Sequence, residues 1–163
     1  VVAKTLAAQT ELVRQLQART VGRHYRALVQ GELSAGGTVD APIGRHPTQR
    51  TRMAVVGGGR PALTHYRVTE RFSRATLVEC RLETGRTHQI RVHMAHIGHP
   101  LVGDPLYGAR RCGDARLDGF PRQALHAFRL GLVHPRSGEA MRWEVPMAAD
   151  FAALLDELRE GPR

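Results

Sequence analysis

Residues 63–98 constrain the fold more than any other part of the chain. Residues 63–71 and 76–82 alternate apolar and polar side chains well enough to stand as two neighbouring strands. The strand signal ends at Thr84, Gly85 permits a tight turn, and Ile90, Met94 and Ile97 then fall at i, i+4 and i+7. That spacing predicts a helix over 88–97, with Gly98 as its stop signal. The same periodicities predict an amphipathic helix over 6–19, with Leu6, Leu12, Val13 and Leu16 near one face and Gly22 just past its end. A strand comes next over 24–29, broken at Gly31. Residues 34–60, rich in Gly and Pro, read as hairpins and loops whose best strand is 53–56. Residues 99–116 read as a long loop. Residues 124–133 and 141–145 pair as a hairpin, and Phe151, Leu154, Leu155 and Leu158 form the core stripe of a final helix with Asp150 placed as its cap. Helix, strands, helix, hairpin, helix predicts an α+β domain with a mixed, mostly antiparallel sheet flanked by helices. The strands run in pairs without regular helical crossovers, which argues against a parallel doubly wound sheet.

A length of 163 residues fits one domain, and 42% hydrophobic residues suffice for a core. No apolar run approaches the roughly 20 residues needed to span a bilayer, so no membrane partner is expected. Val1-Val2-Ala3-Lys4 offers neither an initiating Met nor a signal-peptide core. The two cysteines, Cys80 and Cys112, have no metal-ligand spacing and are too few for a disulfide scaffold, which suits a reducing, cytoplasmic setting. Net charge is +9, and Lys4 is the only lysine among the 24 Lys plus Arg. Arginine's planar fork suits phosphates and bases, so nucleic acid is the expected partner; a solvated face written in arginine-rich codons is the plainer alternative. Aromatic residues at 5% argue against a multi-base stacking platform.

The densest chemistry lies in residues 81–94. A turn entering a helix aims unpaired N–H groups outward, and Arg86 and Arg91 beside it suit a phosphate or a catalytic carboxylate; a junction with solvent-facing arginines is the competing reading. His88, His93, His96 and His99 crowd this helix without a zinc-ligand pattern, so no metal is expected. Asp104, before Pro105 and between Gly103 and Gly108, reads as a turn-former through its own side chain rather than as a catalytic acid.

Two blocks, Gly85-Arg86-Thr87-His88-Gln89-Ile90-Arg91-Val92-His93 and His99-Pro100-Leu101-Val102-Gly103-Asp104-Pro105-Leu106-Tyr107-Gly108, resemble the signature of the RluA-type RNA pseudouridine synthases. Arg45-His46-Pro47-Thr48, Arg50-Thr51-Arg52-Met53, Ala62-Leu63-Thr64-His65-Tyr66-Arg67 and Gln123-Ala124-Leu125-His126-Ala127 extend the resemblance across essentially the whole chain. It implies the pseudouridine synthase fold and isomerisation of uridine in RNA without a cofactor. In this family an aspartate is required, and the target base is flipped from its stack. By motif, Tyr25 matches the tyrosine that packs on the base, and Arg91 the arginine that pairs with the catalytic aspartate, with Arg86 the second choice. Thr87, His88, Gln89, Arg45, Arg50, Arg52 and Leu125 are the implied RNA contacts, Leu125 lying near the base pocket. The implied partner is 23S rRNA of the large-subunit precursor, and the implied full-length form is a monomer.

One departure stands out. The family's aspartate sits in a His-Arg-Leu-Asp motif, and Val1-Val2-Ala3-Lys4-Thr5 matches the segment just after that motif. Asp40, Asp104, Asp114, Asp118, Asp150 and Asp156 do not occupy it. The expectation is therefore the C-terminal portion of one catalytic domain. The aspartate motif and any S4-like RNA-binding domain would lie upstream, a sheet edge would be left unpaired, and this chain alone would be inactive. The rival expectation is a non-catalytic RNA-binding or ribosome-assembly module on a degenerate synthase fold.

Overall fold

The computed structural model describes residues 1–108 and 111–161; Ala109 and Arg110, within the expected 99–116 loop, lie outside the described residues. The elements run α1 (Leu6–Gln17), β1 (Gly22–Gln30), β2 (Gly37–Asp40), β3 (Ile43–Arg45), β4 (Met53–Val55), β5 (Leu63–Phe72), β6 (Ala75–Leu82), α2 (Gln89–His96), α3 (Ala115–Asp118), β7 (Leu125–Val133), β8 (Ala140–Glu144) and α4 (Ala149–Arg159). Six strands form one sheet in the order β2-β5-β6-β1-β7-β8, every neighbouring pair antiparallel, while β3 and β4 make a separate hairpin. The α+β expectation holds.

β1 lies between β6 and β7, so its side chains alternate between two buried layers. Ala27 and Val29 join Val78, Cys80 and Leu82 of β6 and Ile90 and Met94 of α2 on one face. Leu28, with Ala75 and Leu77, meets Phe151, Leu154, Leu155 and Leu158 of α4 on the other. The expected α4 stripe is therefore the core of the second layer.

Three local expectations are corrected. α1 begins where Thr5 Oγ1 accepts the Ala8 N–H, but only Leu12 of its four apolar residues is buried. Gln15 takes the inward position instead, donating to the Val133 carbonyl and accepting the Val133 N–H, so this helix docks on the β7 end by hydrogen bonds as much as by apolar area. α1 ends at Gln17, two residues short of the expected 19, with Arg19 at φ 58° as the left-handed residue after it, and Gly22 opens β1. Asp150 lies inside the first turn of α4 with Ala148 at the cap position, and its carboxylate pairs with Arg122. β2 and β3 are short strands of the stretch read as hairpins and loops, while α3 starts within the 99–116 segment read as a loop.

Candidate active site

The turn from β6 into α2 is organised by Gln89. Its Oε1 accepts from the Thr84 hydroxyl (2.8 Å) and the Arg86 N–H (2.9 Å), and its Nε2 donates to the Leu63 carbonyl (3.0 Å) and Thr64 Oγ1 (3.0 Å). One side chain thus binds β5, β6 and α2 together. Gln89 is only 3% exposed, so its expected role as an RNA contact is corrected: its amide is spent inside the fold. The Arg86 N–H is likewise held by Gln89 rather than offered to an anion. His88 enters the helix at φ 56° without a side-chain cap bond. His93 is fully buried between Thr64 Oγ1 and the Ala41 carbonyl. Because a carbonyl only accepts, Nε2 carries the His93 proton and Nδ1 accepts from Thr64. Burial lowers the pKa of His93 and keeps it neutral.

Arg91 is buried, not solvent-facing. Its Nε and Nη2 donate to Asp104 Oδ2 and Oδ1, both at 2.7 Å, in a bidentate pair. Asp104 also forms the turn expected of it, Oδ1 accepting the N–H groups of Leu106 and Tyr107. Burial alone would raise the Asp104 pKa; the guanidinium and the two N–H donors outweigh it and hold the carboxyl below its usual value. The Arg91 guanidinium carbon lies 5.0 Å from the Tyr107 ring centroid. Tyr107 Oη accepts the Met53 N–H (2.9 Å), leaving its hydrogen for His88 Nδ1 (2.9 Å). Burial, then the charge of Arg91, lowers the pKa of His88. Tyr107 therefore joins α2, the β3–β4 hairpin and the Asp104 turn at one node. Local sequence pattern gives no signal for the role of Tyr107 or for the partner of Asp104. The shared motif places Tyr107 and Asp104 close along the chain, but only the fold shows that both meet Arg91.

The hairpin carries Arg45 and Arg50 toward solvent and half-buried Arg52 beside them, with Arg45 Nη1 on the Arg50 carbonyl. A cleft of about 760 Å³ separates the hairpin, at His46, Gln49 and Arg52, from the turn at Asp104 and Tyr107. Thr87 is exposed, and Arg86 donates from Nε to the Pro61 carbonyl (2.9 Å), apart from the Arg91 node. Tyr25 lies on β1 opposite Cys80 and Ala127, beside a register shift at His24/Tyr25. Leu125 pairs with Ala27, so Tyr25 and Leu125 are diagonal neighbours on the face that α2 packs against, both half-buried on that cluster. The Cys80 thiol beneath them is pushed up to about 12 by burial and is inert. Among the described residues, no group of three or more His, Cys, Asp and Glu is placed to hold a metal, and no helix is long and apolar enough to cross a membrane.

This sheet and site define a pseudouridine synthase domain. The family model for RNA pseudouridylate synthases matches residues 1–96, and the chain belongs to that family. Over 99% of its length it is 60% identical to ribosomal large subunit pseudouridine synthase D of Nitrosomonas europaea, covering 48% of that protein. It is 57% identical to the synthase D of Pseudomonas aeruginosa, over 98% of this chain and 52% of that protein. The chain thus spans about half the length of the curated relatives it matches. Among solved structures, human RNA pseudouridylate synthase domain containing 1 superposes with a TM-score of 0.73 at 30% identity, over 98% of this chain and 74% of that one.

Proposed function

We propose that the full-length protein isomerises uridine to pseudouridine in 23S rRNA of the large ribosomal subunit in the cytoplasm, acting as a monomer and without a cofactor. In that reaction the N1–C1′ bond of uridine breaks, a C5–C1′ bond forms, N1 gains a proton and C5 loses one. The observation that carries the reading is the half-buried surface of Tyr25 and Leu125 on the sheet face that α2 packs against. A flipped uracil would lie on that surface, its stacking on Tyr25 replacing what it left in the RNA. The Tyr25 hydroxyl would handle the C5 proton. Arg91 keeps Nη1 without a hydrogen-bond partner among the described residues, and Asp104 fixes its fork, so it is preorganised to meet a second carboxylate. Exposed Arg45, Arg50 and Thr87, with half-buried Arg52 and His88, would grip the RNA.

The nucleophilic aspartate of this reading belongs to a segment outside these residues. Asp104 is held by Arg91 in a buried pair, Asp114 pairs with Arg116, Asp150 with Arg122 and Asp156 with Arg159, the last two at the surface, while Asp118 accepts from the Cys112 N–H. Asp40 is exposed on β2. Tritium release from C5-labelled uridine in 23S rRNA tests the reading on this chain and on one extended upstream. Release by the extended chain alone is expected. Release by this chain overturns the assignment of the aspartate. Release by neither, with both folded, favours a non-catalytic RNA-binding module.

A further inference from the structure

A second cleft, of about 380 Å³, opens between α1 and the turn joining β6 to α2. Arg19, Arg23, Arg60 and Arg86 line it, with Glu83 as its acid. Glu83 is already engaged by Arg19 at 3.1 Å, His65 at 2.6 Å and Arg81 at 3.6 Å. Arg23, Arg60 and Arg86 have no ion-pair partner among the described residues. Arg23 is the most exacting of them. Its Nη2 reaches only the Glu83 carbonyl (3.2 Å), and its Nε is buried with no partner. Burial, with the charge of Arg86 against it, lowers the pKa of Arg23. Residue 85 is glycine where the guanidinium lies: a Cβ there would sit 2.3 Å from Arg23 Nη1, so the tip of the arginine would have to shift. A half-buried cation with an unmet donor and a like charge nearby is costly unless an anion joins it.

We propose that this cleft is a backbone-phosphate subsite for the RNA, in which Arg23, Arg60 and Arg86 close on a phosphodiester. The subsite rests on the functional reading above and adds to it where the strand enters. Arg23 precedes Tyr25 by two positions on β1, so it shares that face at a distance of about 6.6 Å along the strand. The phosphate held there belongs to the nucleotide on Tyr25 or its immediate neighbour. One carboxylate from a protein segment would leave most of this charge unmatched, whereas an RNA strand brings an anion at every nucleotide.

The test is fluorescence-anisotropy binding of a uridine-containing single-stranded RNA to this chain across a salt series. Arg23→Gln and Arg60→Gln should each weaken binding about tenfold at low salt. Each should also reduce the slope of log K against log salt by about 0.7. Arg136→Gln, an exposed charge in the β7–β8 turn, should do neither. Gly85→Ala, which shifts the Arg23 tip at unchanged net charge, should weaken binding by less than Arg23→Gln, and thermal melts establish that each variant is folded. Wild-type affinity and slope in folded Arg23→Gln, Arg60→Gln and Gly85→Ala overturn the subsite and leave the functional reading standing. The same result with weakened binding of polyglutamate assigns the cleft to a protein carboxylate and also overturns it. A wild-type chain that binds no RNA overturns the subsite, while the functional reading of the full-length protein is decided by the tritium assay.

Discussion

Replacing Asp104 with alanine strands the Arg91 guanidinium in the protein interior. The pair is bidentate at 2.7 Å, with the Asp104 side chain fully buried and that of Arg91 10% exposed, so water cannot replace the lost carboxylate. The substitution also removes the acceptor for the Leu106 and Tyr107 N–H groups. Removing one partner of a buried pair costs about 3–5 kcal/mol. At about 2–4 °C per kcal/mol for a domain of this size, the melting temperature should fall by roughly 6–20 °C. Urea unfolding followed by far-UV circular dichroism measures the loss directly. Asp104→Asn keeps an oxygen for the two N–H groups and should lose less. Adding Arg91→Met to Asp104→Ala should recover much of the deficit, because the cost lies in the unpaired charge rather than in a missing attraction. An Asp104→Ala variant within about 1 kcal/mol of wild type would show that Arg91 finds water or another partner, and the argument from burial would fail.

Acid should weaken the fold in two stages. His88 and His93 have folded pKa values below their ordinary 6.5, so the unfolded chain binds more protons; their contribution is full above pH 6.5 and declines as pH falls below it. Asp104, depressed below 3.8, keeps its contribution above that value and loses it as pH drops through its folded pKa. His93→Gln, whose amide can serve the same two partners, should flatten most of the upper stage in a series of urea midpoints against pH. Gly103→Ala should be poorly tolerated, since φ is +67° and a Cβ would sit 2.1 Å from the Arg122 carbonyl oxygen. Gly98→Ala, at φ +87° with nothing within 4 Å, should cost only the backbone term of about 1–2 kcal/mol; equal losses at the two positions would refute the steric argument. Tyr25→Ala in the catalytically complete protein should abolish tritium release yet leave RNA affinity within about tenfold, because the phosphate contacts remain.

Periodicity locates the long elements because burial imposes it. β5 and β6 match their expected bounds to within one residue, and the expected apolar stripe of α4 is the face it turns inward. α1 shows the limit: its apolar spacing is real, yet Leu6, Val13 and Leu16 remain exposed while Gln15 goes inward, since the β7 end offers a carbonyl and an N–H to bond. β2 and β3 leave no such signal, because strands this short carry too few residues to show alternation.

The sequence by itself determined the class of fold, the surplus of arginine and, through the Gly85–His93 and His99–Gly108 blocks, the family. It also determined that Asp104 forms a turn, because an aspartate bonds its own following N–H groups whatever surrounds it. Tertiary structure alone decided that the same carboxylate neutralises Arg91, that Gln89 is a buried joint between two strands and a helix, and that Arg23 and Arg86 share a cleft. These depend on which residues distant along the chain are brought within about 3 Å. A short-range pattern cannot encode that, because the ionic and hydrogen-bonding partner of each group is chosen by where the sheet places it.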